Sequence, residues 1–377
     1  MKFKLLIFSI SLFIISCENT SKKQQPLERS LIELSMDKNA HSLLLDSTIN
    51  ALSIGVYKEG KVYINHYGEL DKGQSNQPTN ETIYEIASVS KTFAGTLVAQ
   101  AELEGRLNLE DDIRKYLKED FPNLQYQGNP IRIKDLISHT SRLPKFLPQI
   151  VNQVIENPTD SLAFQIYKAE KNYSREQFFS DLHSVIIDTI PGTKESYSSV
   201  DTELIAHLLE NIYNKSYEEL IQEKICTKLG MIHTGVVLPS SLKENVANGY
   251  IQNNTLAPPM TNTLWGAGGG IKSTLPDLIQ YIKFQLDKED KLSTQSHQLV
   301  YQNEDYKIGY YWPISHDDFY GTYYSHHGGA FGTQNVLFIF PEKDLGISVI
   351  TNQNISNTSS KLYKITNDIL EDLKQNK

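Results

Sequence analysis

The stretch YEIASVSKTF, residues 84–93, places Ser88 three positions before Lys91 at the start of a run with helical apolar spacing. Residues three apart on a helix share a face, with Cβ atoms about 5–6 Å apart, so a hydroxyl and an amine can share a proton there. That pair is the minimum equipment for nucleophilic acyl transfer without histidine. The same S-x-x-K pattern also occurs at Ser35–Lys38 and Ser240–Lys243. One match alone therefore leaves open whether Ser88 is a nucleophile or an ordinary helix residue.

Length and composition indicate a globular protein with an ample core. The chain has 377 residues, enough for one large domain or two medium ones. Its formal net charge of −9, its pI near 5.6 and the lack of a basic stripe argue against nucleic-acid binding. No His, Cys and Glu cluster has the spacing of a ligand set, so neither a metal nor an organic cofactor is predicted.

The N-terminus reads as the leader of an exported lipoprotein. Residues 1–16 have two early lysines and then a mostly apolar run too short to span a bilayer comfortably, which is typical of a signal peptide. The run ends in a small residue and Cys17, which resembles the lipobox of bacterial lipoproteins and implies lipidation of Cys17. An ordinary secretory signal is the alternative. Residues 17–26 then form a polar tether, and we expect a protein anchored by lipid in the cell envelope. Cys226 is predicted to be a buried, inert thiol.

The periodicity predicts strands near both ends of the chain and helices between them. We expect a helix over Leu27–Met36, a hairpin of Ala51–Tyr57 with Lys61–Tyr67, and helices over Thr92–Glu104, Asp201–Tyr213 and Tyr217–Leu229, the last ending at Gly230. Later strands are predicted at Tyr306–Trp312, Thr322–His326, Gln334–Phe340 and Gly346–Thr351, before a closing helix over 359–374. The predicted fold is α/β (α+β), with one antiparallel sheet built from both termini. One domain would span 27–377, its sheet part about 27–90 and 255–377, its helical part about 91–254.

Several ordered blocks carry a family resemblance. They are the Ser88–Lys91 block followed by LNLEDD (107–112), LISHTSRLP (136–144), PGTKESYSS (191–199), LGM (229–231), AGGGIKST (267–274) and HHGGAFG (326–332). In this order they resemble the serine hydrolases related to class C β-lactamases, D-alanyl-D-alanine carboxypeptidases and the esterases of the same penicillin-binding-protein-like fold. The likeness runs from about 45 to 355 and identifies Ser88 as the expected nucleophile. The other two S-x-x-K matches lie outside the blocks.

The resemblance implies roles for further residues. Tyr197 occupies the place of the family's proton-transfer tyrosine, beside Lys91, and Ser199 stands where the family usually has Asn. His326 stands where the β-lactamases have Lys, so His326, Gly328 and Ser199 are expected to bind substrate. The backbone N–H groups of Ser88 and Gly329 would form the oxyanion hole.

Two further positions belong to the block LISHTSRLP. Arg142 replaces a glycine usual in the family, and the sequence offers no physical account of that change. His139 is expected to brace a loop and not to take part in catalysis.

These features predict an acyl-enzyme serine hydrolase for a small amide or ester. A D-amino-acid peptide, a peptidoglycan fragment, a β-lactam or a simple carboxylic ester would each be a possible substrate. Segments 144–190 and 252–265 are expected to shape specificity. The alternative from another class is a non-catalytic lipoprotein that senses penicillin or muropeptides. If His326 titrates during turnover, the pH profile would show a step near pH 6–7.

Overall fold

The computed structural model describes residues 29–375, so the predicted signal peptide, Cys17 and the tether lie outside the described residues. The strands are β1 Ala51–Lys58, β2 Lys61–Gly68, β3 Ile83–Glu85, β4 Gln125–Tyr126, β5 Asn129–Pro130, β6 Tyr250–Ile251, β7 Thr255–Leu256, β8 Lys272–Thr274, β9 Tyr301–Gln302, β10 Lys307–Ile308, β11 Ile314–Asp317, β12 Gly321–Gly329, β13 Gln334–Phe340 and β14 Leu345–Thr351. The α-helices are α1 Leu31–Leu44, α2 Ser90–Leu103, α3 Ile133–Ile137, α4 Ile150–Glu156, α5 Leu162–Glu170, α6 Arg175–His183, α7 Ser199–Tyr213, α8 Tyr217–Ile221, α9 Thr227–Leu229, α10 Leu275–Leu286, α11 Lys291–Ser296 and α12 Thr358–Gln375.

A six-stranded antiparallel sheet joins the two ends of the chain, in the order β11-β12-β13-β14-β1-β2. The β1–β2 hairpin pairs Lys58 with Lys61. Its two turn residues, Glu59 and Gly60, have φ of 48° and 82°, the left-handed conformations that suit a tight hairpin. The prediction of one sheet assembled from both termini is confirmed.

Helices cover both faces of this sheet. α1 and α12 pack together on one face, where apolar residues such as Met36 and Ile365 meet the strands. α2 and α10 belong to the larger core on the other face, which continues into the helical segments. α1 begins at Leu31, where Ser30 and Glu33 form a capping box, and the predicted start at Leu27 lies outside the described residues. Within residues 29–375, no helix combines the length and apolar character needed to cross a bilayer.

The helical part departs from the predicted pattern at one helix. Between α8 and α9 the chain forms a π-helical turn, Gln222–Cys226, so the predicted helix over Tyr217–Leu229 is continuous but not uniformly α-helical. Gly230 ends it with φ 70°, as expected for a C-terminal cap. Cys226 is buried, and burial raises the pKa of its thiol to about 12, consistent with an inert side chain.

The strand predicted over Tyr306–Trp312 is largely wrong. Only Lys307–Ile308 is extended, and Tyr311 has φ 61°. Tyr310, Tyr311 and Trp312 are all buried in the core. A short apolar run that is buried on every side has no periodicity that separates a strand from an irregular core segment.

Candidate active site

Ser88 lies on a tight turn that feeds directly into α2. The 3₁₀ turn Ala87–Val89 follows β3, and Ala87 has φ 48°, an uncommon conformation for a residue with a Cβ. Two contacts hold the turn: the Ile86 N–H donates to the Ile271 carbonyl at 3.1 Å, and Asn335 Nδ2 donates to the Ile86 carbonyl at 2.9 Å. Neighbouring strands therefore fix the backbone that presents the Ser88 hydroxyl.

Lys91 and Tyr197 both reach the Ser88 oxygen. Tyr197 Oη donates to Ser88 Oγ at 2.8 Å, and Lys91 Nζ lies 3.3 Å from the same oxygen. The Lys91 amine also lies 5.1 Å from the centre of the Tyr197 ring. Lys91 is completely buried, whereas Ser88 is partly exposed. The structure therefore brings together the three residues that the sequence singled out, with the hydroxyl open to a substrate and the amine shielded from water.

The turn that carries Tyr197 is braced by the segment around His139. The Ser196 N–H donates to the His139 carbonyl at 2.6 Å, and the two rings of His139 and Tyr197 lie 4.6 Å apart. Ser198 caps α7 by accepting from the Asp201 N–H at 3.1 Å. His139 is buried, and burial holds its pKa well below the ordinary value. His139 thus remains neutral at neutral pH and supports the tyrosine, as the sequence predicted.

The structure supplies a physical account of Arg142. Arg142 has φ 70°, in the left-handed region that glycine adopts without cost, so a glycine would fit this position without backbone strain. The side chain makes a bidentate pair with Asp188, with both N–O distances 2.8 Å. This ion pair ties the loop to the segment that leads to Tyr197 and offsets part of the backbone strain.

Ser199 contacts Lys91 as well as facing the cleft. Lys91 Nζ lies 3.3 Å from Ser199 Oγ and also donates to the Gly268 carbonyl, so with Ser88 the amine has three oxygen partners. Ser199 therefore helps to orient Lys91, a role that the sequence prediction did not include.

Glu203 is a site residue that the sequence analysis missed. Its carboxylate accepts from the Gly268 N–H, and it is completely enclosed. A Cβ on Gly268 would lie 2.8 Å from Glu203 Oε1, so only glycine permits this approach. Burial raises the pKa of Glu203 to about 8. Its spacing of four residues from Ser199 along α7 could have placed it on the same helix face, but nothing in the sequence pointed to Gly268 as its partner.

A cleft of about 820 Å³ opens at Ser88. Ser88, Tyr197, Ser199 and Gly329 line its reactive end. The rest of the wall is mostly apolar and comes from α4, α5 and three connecting segments, with these residues: Phe146, Val151, Ile155, Leu162, Ala163, Ile166, Met260, Trp265 and Phe331. Both segments expected to shape specificity, 144–190 and 252–265, thus contribute to this cleft, although much of the first is helical.

Gly329 and Gly328 lie in different surroundings. Gly329 is exposed at the end of β12 and lines the cleft, and its predicted role in the oxyanion hole stays a prediction. Gly328 is buried and is not part of the cleft wall. A Cβ at Gly328 would lie 2.2 Å from the Ile86 carbonyl oxygen. The geometry therefore gives Gly328 a packing role against the nucleophile turn, and its expected contact with substrate stays a prediction.

This difference yields a stability prediction. Gly328→Ala should lower the free energy of unfolding by about 2 kcal/mol, because β12 and the Ile86 turn must separate to admit the methyl group. Gly329→Ala is the matched control, since the nearest atom to its added Cβ is 3.5 Å away. Urea denaturation of the two variants measures the difference. Equal stability of both would contradict the proposed packing role.

His326 is also more enclosed than expected. It is buried in β12, and its Nδ1 lies 2.9 Å from the His327 carbonyl oxygen. Burial, assisted by the charge of Lys91, lowers the pKa of His326 to about 3. The residue is absent from the cleft wall of the described chain. The structure therefore argues against a His326 ionisation step near pH 6–7.

A pH dependence of stability follows from this buried histidine. In the unfolded chain a histidine titrates near pH 6.5, whereas folded His326 resists protonation down to about pH 3. Stability from this residue is thus complete above pH 6.5 and is lost as the pH falls towards 3, by at most about 1.4 kcal/mol per pH unit. His326→Gln should remove that part of the slope between pH 6 and 4.5 in urea unfolding.

His316 on β11 provides the control for that measurement, because its side chain is exposed. His316→Gln makes the same substitution at an exposed position, so the comparison of the two variants isolates the buried imidazole. If His326→Gln leaves the slope unchanged, the imidazole of His326 is not held neutral by the fold.

Among residues 29–375, no group of three or more His, Cys, Asp or Glu side chains could hold a metal ion.

Comparisons with known proteins show the family to which the chain is related. A family model described as Beta-lactamase matches residues 32–366. Protein flp of Staphylococcus aureus (strain N315) is 29% identical over 335 residues, covering 85% of this chain and 63% of that protein. The chain thus spans less than two thirds of the length of protein flp, both in this strain and in strain MRSA252. A beta-lactamase of Providencia stuartii is 23% identical over 379 residues, covering 89% of this chain and 92% of that protein.

Solved structures share the fold. A class C beta-lactamase superposes with a TM-score of 0.74 at 22% identity, over 89% of this chain and 96% of the other. A beta-lactamase/D-alanine carboxypeptidase from Pseudomonas syringae has a TM-score of 0.76 at 19% identity, over 91% of this chain and 99% of the other. The predicted β-lactamase and penicillin-binding-protein-like fold is thus confirmed.

Proposed function

This chain belongs to the beta-lactamase family, and from that premise we propose that it is a serine hydrolase that forms an acyl-enzyme on Ser88. The observation that carries the proposal is the Ser88 oxygen, which has Tyr197 Oη at 2.8 Å and Lys91 Nζ at 3.3 Å and opens on the cleft. Both groups are within reach for proton transfer, and the oxygen can approach a carbonyl carbon.

The reaction would proceed in two halves. Ser88 Oγ bonds to the substrate carbonyl carbon as its proton passes to the Lys91–Tyr197 pair. The carbonyl oxygen becomes an oxyanion held by the N–H groups of Ser88 and Gly329, a kind of stabilisation commonly worth several kcal/mol, roughly 3–4 per donor removed. The bond to the leaving group then breaks, and the same pair returns the proton to the departing amine or alcohol. A water molecule then attacks the acyl carbon and gives a proton to the Lys91–Tyr197 pair. The ester bond to Ser88 Oγ breaks, the carboxylic acid leaves, and the pair returns the proton to Ser88 Oγ.

The candidate substrates are the amides and esters on which proteins of this fold act. The names of the structural neighbours include beta-lactamase and D-alanine carboxypeptidase. The sequence departs from the β-lactamase pattern at Ser199 and His326, and the structure adds that His326 is a buried neutral group. These departures favour a small amide or ester that does not depend on a cation at this position, and they keep a carboxylesterase as the main alternative within the fold.

Covalent labelling tests the proposal directly. Incubation with a fluorophosphonate probe should add one phosphonyl group, and intact-mass and peptide mass spectrometry should locate it on Ser88. Parallel assays with nitrocefin, a short-chain p-nitrophenyl ester and a D-Ala-D-Ala peptide then separate the chemistries. A non-catalytic sensor would bind or become labelled without turning over any of the three. Absence of both label and turnover would reject the proposal.

We also propose, from the sequence alone, that the protein is a lipid-anchored envelope protein. The support is the signal-peptide pattern of residues 1–16 and the lipobox-like run before Cys17. Cys17→Ser should move the protein from the membrane fraction to the soluble fraction of the cell envelope. Retention in the membrane fraction after that change would contradict anchoring through Cys17.

A further inference from the structure

The cleft beside Ser88 is much larger and more apolar than hydrolysis of a small polar group requires. Its volume of about 820 Å³ lies in the range of pockets that enclose a drug-sized molecule. The reactive end is polar, but the space continues along the inner sides of α4 and α5. A substrate whose carbonyl carbon meets Ser88 must place one of its two halves along that apolar wall.

α5 retains an apolar surface that the rest of the described chain does not bury. The helix carries Leu162, Ala163, Phe164, Ile166 and Tyr167, yet none of its residues is fully buried. Leu162, Ala163 and Ile166 face the cleft. A ligand that covered these side chains would gain the free energy of removing apolar surface from water, about 25 cal/mol per Å².

The wall is held in place at the far end of α5. Asn262 Nδ2 donates to the carbonyl oxygens of Glu170 and Tyr173, at 2.6 and 2.9 Å. The Tyr173 and Trp265 rings stack with their planes 5° apart. The end of α5 is thereby fixed to the loop that carries Trp265, so the apolar surface is formed before a substrate arrives.

The ionisable side chains of the described chain that line the cleft are acidic, and none of them is basic. Asp160 and Glu170 are the acidic lining residues, and no lysine or arginine among the described residues lines it. Burial raises the pKa of Glu170 to about 8, so near neutral pH its carboxyl is mostly protonated. Lys91 is committed to three oxygen partners behind Ser88. A carboxylate on the substrate would lose its hydration in this cleft without gaining a cationic partner.

Resting on the proposed hydrolase function, we propose that the α4–α5 wall is an acyl subsite for an uncharged apolar acyl group, and that it discriminates against acyl groups ending in a carboxylate. The preferred substrate is thus an ester or amide of a medium-length aliphatic or aromatic acid.

A matched ester series tests this subsite. We would measure kcat/KM for p-nitrophenyl acetate, butyrate and hexanoate, and for the p-nitrophenyl monoester of adipic acid, which equals the hexanoate except for its terminal carboxylate. Each buried methylene contributes at most about a fourfold gain, so hexanoate should exceed acetate by at least about tenfold. The adipate ester should fall at least about tenfold below hexanoate.

Two variants on one helix localise the effect. Ile155 and Ile150 both lie on α4, but only Ile155 lines the cleft, and Ile150 is 48% exposed. Ile155→Ala should reduce the ratio of hexanoate to acetate turnover about threefold to fivefold, and Ile150→Ala should leave that ratio unchanged. Equal reduction by both variants would contradict the assignment of the subsite to this wall.

The outcomes separate the two proposals. Acetate turnover that depends on Ser88 but shows no chain-length preference, or an adipate ester cleaved as well as the hexanoate, overturns the apolar subsite and leaves the hydrolase standing. Failure to cleave any of the esters, together with no fluorophosphonate label on Ser88, rejects the proposed function and this inference with it.

Discussion

Replacing Ser88 with alanine should reduce turnover of an activated ester by at least about 10⁴-fold. The variant removes the only atom that the proposed mechanism joins covalently to the substrate, and neither Lys91 nor Tyr197 can take its place in the cleft. Residual activity would come from binding and from the oxyanion donors alone. The measurement is kcat/KM with p-nitrophenyl butyrate, together with intact-mass analysis after fluorophosphonate treatment, which should show no adduct.

The other S-x-x-K sites provide the control for this prediction. Ser240 has a lysine three residues later, as Ser88 does, but it lies on an exposed 3₁₀ turn. Ser240→Ala should keep wild-type turnover and labelling. Circular dichroism melting of both variants checks that the fold is intact. Turnover by Ser88→Ala within about tenfold of wild type would remove Ser88 from the mechanism.

The sequence predicted those parts of the fold whose signals are local. β13 has the bounds expected from its apolar run, Gln334–Phe340, and β1 and β2 differ from their predicted hairpin by one residue at one end each. Turn residues and alternation are properties of neighbouring positions, so they can be read without knowledge of the tertiary structure. Tyr306–Trp312 failed because its conformation is set by burial against other segments, among them α2, where a Cβ on Gly95 would meet the Tyr310 carbonyl oxygen at 2.1 Å.

The residues of the candidate active site also differ in whether the sequence could predict them. Ser88, Lys91 and Tyr197 could be found because ordered blocks identified them, and the structure places all three in contact. Glu203 acts through the Gly268 peptide, which lies 65 residues away along the chain. No local pattern encodes that pairing.

Neighbouring residues of one block also separate in space. Gly328 packs on the nucleophile turn while Gly329 opens on the cleft. Successive residues of a strand point to opposite faces, but which face meets a cleft is decided by the segments packed against the strand. The reactive residues could therefore be identified from the sequence, whereas the residues that support them and the apolar wall of the cleft could be identified only from the tertiary structure.

Replacing Tyr197 with phenylalanine should reduce kcat about 10²–10⁴-fold, with a smaller effect on KM. The change removes one oxygen, the atom 2.8 Å from Ser88 Oγ, and leaves the ring that packs on His139. Because Lys91 Nζ still lies 3.3 Å from Ser88, some proton transfer survives, and the loss should be smaller than that of Ser88→Ala. Fluorophosphonate labelling should slow but still reach one adduct per chain.

Tyr306→Phe is the matched control, because it removes the same oxygen from a tyrosine that is not among the hydrogen-bond partners of Ser88 Oγ in the described chain, which are Tyr197 and Lys91. This control should keep kcat within about twofold of wild type, since it removes no atom that is hydrogen-bonded to Ser88 Oγ. If Tyr197→Phe also stays within twofold, proton transfer runs through Lys91 alone. The buried amine, held by Ser199 and the Gly268 carbonyl, would then be the general base, and the Tyr197 hydroxyl would serve only to orient Ser88.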